Sequence, residues 1–173
     1  MQRMRCLALM LGLAAAGAAW AGPYEDGVAA FTRGDYQRAF ALFKPLADAG
    51  DARAQVRLGI MYFNGQGVAE DEGEALRWFR SAAEAGDADG AFRLGYLYAY
   101  GYAEPEEGTA QEAAARWYRR AAEQGHADAA FQLGLLYLTG SGIDKDPEEG
   151  MRWIRRAAEA GLKEARDFVG DYR

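Results

Sequence analysis

Residues 133–161 read LGLLYLTGSGIDKDPEEGMRWIRRAAEAG. Leu133 and Tyr137 stand four apart, Gly140-x-Gly142 follows, and Trp153 precedes the pair Ala157-Ala158 and a closing Gly161. Apolar side chains at this spacing draw a stripe down one helix face, whereas G-x-G suits a turn that needs positive φ. Asp146 before Pro147 is a helix start: the Asp accepts from free first-turn N–H groups, and Pro loses nothing there. The stretch predicts two helices joined by a glycine turn and stopped at Gly161.

The same order returns upstream. Residues 51–86, 87–125 and 126–161 are three versions of one unit, with closing glycines Gly50, Gly86, Gly125 and Gly161 set 36, 39 and 36 residues apart. The middle unit's excess lies between Ala103 and Trp117, around EPEEGTAQE, as expected of an insertion confined to a loop. First helices carry Ala54, Leu58 and Tyr62; Leu94 and Tyr98; Ala129, Leu133 and Tyr137. Gly59, Gly95 and Gly134 lie inside them, where Gly costs about 1 kcal/mol against Ala. Paying that at equivalent positions predicts a helix approach that a Cβ would block. Second helices begin near Asp71, Ala110 and Asp146, and carry Trp78, Trp117 and Trp153, then Ala82-Ala83, Ala121-Ala122 and Ala157-Ala158. The Ala pairs let helices touch, and each Trp is expected to fill the wider gap. One such pair cannot bury its apolar face alone, so the units must stack. Residues 22–50 read as a shorter variant with a turn at Gly34-Asp35-Tyr36 and a second helix marked by Ala39, Phe43 and Leu46. Residues 162–173 read as a capping helix.

Half of the 173 residues are apolar and only 4 are Pro, which supplies a core and argues against disorder. Residues 1–21 pose a separate problem. MQRMR carries two Arg, CLALMLGLAAAGAAW is apolar, and Ala19-Trp20-Ala21 has small residues where a signal peptidase reads. That is the pattern of a secretory signal peptide; a membrane anchor would need about 20 apolar residues and the run has about 15. Cleavage after Ala21 removes Arg3, Arg5 and Cys6, the one Cys, making the net charge more negative than −6. The expected mature chain, 22–173, is periplasmic or secreted and is not inserted in a membrane. It has no thiol for a disulfide, a nucleophile or a metal. No basic stripe is present, so nucleic acid is not an expected partner.

The order A-x-x-x-L-G-x-x-Y-x-x-G-x-G-[VI]-x-x-D, then A-x-x-W-[FYI] and A-A-E-x-G, resembles Sel-one-like repeats, relatives of the tetratricopeptide repeat. The likeness covers 51–161 through three units, with the flanks fitting as terminal units. The middle unit departs from it: Gly101-Tyr102-Ala103 replaces G-x-G, and Gly90 replaces the first Ala. The resemblance implies an all-α, right-handed α-solenoid of stacked antiparallel helix pairs, with a concave face built mainly from first helices. It also implies an adaptor, scaffold or regulator that holds a partner protein or peptide. A host-directed secreted factor is a second reading. A cell-wall hydrolase is a third, raised by cysteine-rich relatives linked to penicillin binding; this chain lacks their cysteines and any S-x-x-K.

Subtracting the packing positions leaves first-helix residues that vary between units: Arg53, Arg57, Ile60 and Asn64; Asp89, Arg93, Tyr96 and Tyr100; Asp128, Gln132, Leu135 and Thr139. They recur at offsets 0, 4, 7 and 11, one helix face. Arg and Tyr anchor many interfaces, and Arg suits carboxylates. The candidate partner surface is therefore Arg53, Arg57, Asn64, Asp89, Arg93, Tyr96, Tyr100, Tyr102 and Gln132, taking an acidic or aromatic segment. The competing reading has the Tyr residues finishing the core and the Arg residues in water. His126, the only His, takes the junction position of Asp51 and Asp87 and reads as a surface loop residue. The acidic stretches at 104–107 and 144–149 lack the alternating ligands, central Gly and terminal Glu of a calcium loop. No catalytic group, cofactor or metal is expected, and the chain is expected to be a monomer.

Overall fold

The computed structural model describes residues 22–171, so the expected signal peptide and the last two residues of the expected cap lie outside the described residues. Among them are nine helices: α1 Pro23–Thr32, α2 Tyr36–Asp48, α3 Ala52–Phe63, α4 Glu72–Glu84, α5 Ala88–Ala99, α6 Ala110–Glu123, α7 Ala127–Thr139, α8 Pro147–Glu159 and α9 Lys163–Asp171. They stack in sequential pairs, each helix packed on the one before and after it.

Helix starts follow the sequence. Asp71 and Asp146 accept hydrogen bonds from the Glu74 and Glu149 N–H groups, both at 2.9 Å. The residue after each closing glycine caps the next first helix. Asp51 accepts from the Ala54 N–H at 3.1 Å and Asp87 from the Gly90 N–H at 2.8 Å. His126 accepts from the Ala129 N–H through Nδ1 at 3.3 Å, so it is a cap with a side chain only 18% exposed, not a surface loop residue.

The glycines inside first helices are notches. A Cβ on Gly27 would stand 2.6 Å from Phe43 Cε1, one on Gly95 2.8 Å from Tyr118 Cδ1, and one on Gly134 2.5 Å from Ile154 Cγ1. At Gly59 it would run into Phe79 Cε1 and stand 2.6 Å from Cδ1. Each hairpin therefore closes by seating one bulky side chain of its second helix on a bare stretch of its first. In the three full units that side chain is the residue after Trp. The indoles were expected to fill the wide gap, and they do so unequally: Trp78 and Trp153 are 4% and 9% exposed, whereas Trp117 is only half-buried. Consecutive helical residues point about 100° apart, so Trp78 and Phe79 serve different contacts. Trp78 belongs to the core cluster of Phe43, Leu58 and Met61, whereas Phe79 belongs to the one that holds Leu94 and Leu97. Gly90 has its own reason: a Cβ there would come within 2.7 Å of the Ala82 Cβ, so α5 lies tighter on α4 than an Ala permits.

The G-x-G turns join neighbouring units. Gly67 and Gly142 have φ of 74° and 69°, and a Cβ on Gly67 would stand 2.5 Å from the Tyr36 carbonyl, at the start of α2. Gly142 presses on Gln111, at the start of α6, in the same way. The middle unit has Ala103 at this position, and its loop takes positive φ at Gly101 and again at Gly108. The side on which first helices meet corresponds to the inner row that the resemblance implies. α3 and α5 touch directly, and no two second helices make a contact of that extent among the described residues.

Candidate functional site

The inner row carries a cleft of about 270 Å³ between α3 and α5. Its walls are Ile60, Phe63, Phe79, Phe92 and Leu97, with Asn64, Arg93 and Tyr96 at its mouth. Phe79 reaches it because the Gly59 notch lets α4 sit close beneath α3. Helix α5 positions most of the rest: Asp89, Phe92, Arg93 and Tyr96 recur three or four apart and so share one face.

An aromatic cluster borders the cleft. The Tyr96 and Tyr100 rings lie 4.4 Å apart, Tyr102 stacks on Tyr96 at 6.2 Å, and Phe63 meets Tyr102 edge-on at 5.1 Å. Tyr96, Tyr100 and Tyr102 are 36%, 60% and 40% exposed, the exposed large hydrophobic side chains among the described residues. That answers half of the competing sequence reading. These rings do not finish the core; Tyr98 and Tyr118 of the same unit do. Burial pushes the Tyr118 phenol well above its ordinary value, so it stays neutral.

The charged groups are paired rather than free. Arg93 lies 3.0 Å from Asp89, off the line of a hydrogen bond, and its guanidinium stands 5.9 Å from the Phe79 ring. His126 stacks on Phe92 at 4.6 Å and places Nε2 3.8 Å from Asp89. Burial pushes the Asp89 carboxyl up, but His126 and then Arg93 outweigh it and hold it below its ordinary 3.8. A depressed folded value adds stability above the unfolded value, lost as pH falls through the folded one. Asp89→Asn is therefore expected to lower the melting temperature at neutral pH, with the difference from the parent vanishing well below pH 3.8. Both partners are partly in water, so the effect is below about 1 kcal/mol. A difference that persists in acid would show that Asp89 acts by packing instead.

Of the residues anticipated from sequence, Asn64, Asp89, Arg93, Tyr96, Tyr100 and Tyr102 come together here. Arg53 and Arg57 do not join them. They turn to Tyr24 of α1, with Arg53 stacked 4.2 Å from its ring and Arg57 Nε–H donating to its hydroxyl at 3.4 Å. Gln132 sits half-buried on α7, outside the cleft lining. Sequence reasoning missed Phe63 and Phe92. The available signal was a bulky aromatic beside each variable position, but nothing in the period says that two such residues face one gap.

Among the described residues no helix is long and apolar enough to cross a membrane, and no three His, Cys, Asp or Glu side chains are grouped to hold a metal ion.

Comparison with known proteins gives the arrangement its relatives. The family model described as Sel1 repeat matches residues 14–51, 52–87, 88–126 and 127–162. A Sel1 repeat protein from Oxalobacter formigenes is 35% identical with a TM-score of 0.73, over 82% of this chain and 57% of that one. A protective antigen present in uropathogenic Escherichia coli strains, displaying an SLR fold, is 32% identical with a TM-score of 0.76, over 86% of this chain and 32% of that one. The chain thus spans little more than half of the first relative and a third of the second. Helicobacter pylori cysteine rich protein B, at 18% identity and a TM-score of 0.56 over 84% of this chain and 96% of that one, shares the fold. No curated protein matches.

Proposed function

Since the chain belongs to the Sel1 repeat family, whose helical-repeat members are generally protein-interaction modules, we propose that it is an exported, non-catalytic adaptor that holds a partner segment on its inner row of helices. The observation that carries this reading is the open tyrosine cluster. Three large rings sit in water beside an apolar cleft, in one unit and on one face. Rigid aromatic side chains next to a desolvated pocket are the usual anchors of an interface. The partner segment offers an apolar or aromatic side chain to the cleft and a carboxylate to the exposed part of the Arg93 side chain, which lines the cleft. The signal-peptide pattern in residues 1–21 supports a periplasmic or secreted location.

The test is a photo-crosslinking residue at Tyr100 or, as a control, at the exposed Arg155 of α8, in cells that make the full chain. Adducts are expected from position 100 and not from 155. With the crosslinked protein identified and purified, Tyr96→Ala combined with Tyr100→Ala should weaken its binding on the order of tenfold or more. Arg57→Glu should leave it unchanged, because Arg57 is turned to Tyr24. Equal adducts at both positions, or full affinity in the double variant, would remove the proposal.

A further inference from the structure

The outer side of the middle unit holds a second concavity. It is a cleft of about 420 Å³ between α4 and α6, lined by Arg80, Arg116, Arg120, Trp117 and Glu84 and roofed by the loop that makes this unit longer than its neighbours. Ala103 stands where the other units have their second turn glycine and is buried in the core. The longer loop that follows brings Pro105, Glu106 and Glu107 to the lining of the cleft beside the arginines.

We infer that this cleft binds a short acidic segment of another protein, one with a proline beside a carboxylate, and that Glu106 is a built-in competitor for it. Arg80 is prepared for a carboxylate. It donates through Nη2 to the Tyr98 hydroxyl at 2.9 Å, which fixes the guanidinium, and through Nη1 to Glu106 at 2.9 Å. The Glu106 side chain is 82% exposed. An ion pair in that setting adds little stability, so an outside carboxylate can replace it at small cost. The loop is tied at its ends, with Ala103 buried, and its glutamates lie in solvent between them. Tyr102 N–H donates to Leu97 O at 2.9 Å, Thr109 and Glu112 form a reciprocal capping box, and residues 103–108 make no backbone hydrogen bond.

Trp117 points the same way independently. Its equivalents Trp78 and Trp153 are buried, whereas Trp117 is left half-open in the cleft, with the Arg120 guanidinium 5.4 Å from its ring. An apolar wall of this kind suits a proline, and Pro105 of the chain's own loop lines the same cleft. Its three arginines are matched by Glu84, Glu106 and Glu107, so displacing the two loop carboxylates would leave an excess of positive charge for an acidic segment to meet.

The experiment titrates the full chain with an acetylated, amidated Glu-Pro-Glu-Glu-Gly peptide by calorimetry. Saturable binding that weakens with salt is expected, and Glu106→Gln should tighten it by on the order of two- to fivefold. Arg116→Gln, which breaks no contact that holds the fold, should abolish it, and Arg80→Gln should do the same with an unchanged circular dichroism spectrum. Equal affinity in the parent and Glu106→Gln chains, or full affinity in Arg116→Gln, would overturn the inference. Sedimentation provides the second arm. Self-association that disappears on Glu106→Gln would assign the cleft to the loop of a second copy, and would overturn it as well.

Discussion

Phe79→Ala is expected to destabilise the chain by about 3–5 kcal/mol, the usual cost of emptying a buried ring site. Phe79 is 3% exposed, fills the Gly59 notch and floors the inner-row cleft. In a stacked repeat each unit leans only on its neighbours, so the loss is concentrated. Amide exchange should quicken most in α3, α4 and α5, and least in α8 and α9. The melting temperature should fall by roughly 6–20 °C. Removal of the floor should also loosen the α3–α5 gap, so partner binding at the tyrosine cluster falls even below the melting range. Uniform exchange along the chain would mean that the units do not behave as separate packing layers.

Gly59→Ala separates local preference from packing by its sign. Helix propensity alone favours the substitution by about 1 kcal/mol, because Gly is the poorer helix former. The geometry opposes it: the added methyl would meet three atoms of the Phe79 ring. That ring is only 3% exposed, so relieving the clash means pushing it into the cleft that it floors or moving α4 away from α3. Overpacking of this kind costs about 1–3 kcal/mol, occasionally more. The variant is therefore expected to melt lower than the parent. A denaturant midpoint above the parent's would show that α3 and α4 are not in the close contact described. Gly134 is expected to be less tolerant still, since its Cβ would also stand 2.7 Å from the Gly150 carbonyl, which is backbone and cannot rotate away.

Much of this was legible in the sequence because its signals are local. Asp71, Asp146 and Pro147 announce helix starts within a few residues of where they act. Gly86, Gly125 and Gly161 end second helices with φ near 90°, a conformation few other residues take. The notch glycines were legible too, as a repeated cost needing a reason. Their occupant was not. The conspicuous Trp drew the assignment, and the less uniform residue after it, Phe79, Tyr118 or Ile154, does the filling, because one step along a helix turns a side chain about 100°. His126 was hidden by residue type, since imidazole is a rare helix cap, although its position matched Asp51 and Asp87. Arg57 was misplaced because its partner, Tyr24, lies 33 residues away in the unit that follows the repeat least closely. The tyrosine cluster was half visible: Tyr96 and Tyr100 share a helix face, but Phe63 and Phe92 join them only when α3 and α5 are brought together.

Every surface described depends on hairpins closing by notch and knob, since that contact sets how near α3 stands to α4, and through α4 to α5. A double-mutant cycle on Gly59→Ala and Phe79→Leu reads that contact alone. Leu lacks the ring atoms that the new methyl would strike, so the pair should be less destabilised than the sum of its parts, by about 1 kcal/mol or more. Costs that add without coupling would contradict the account.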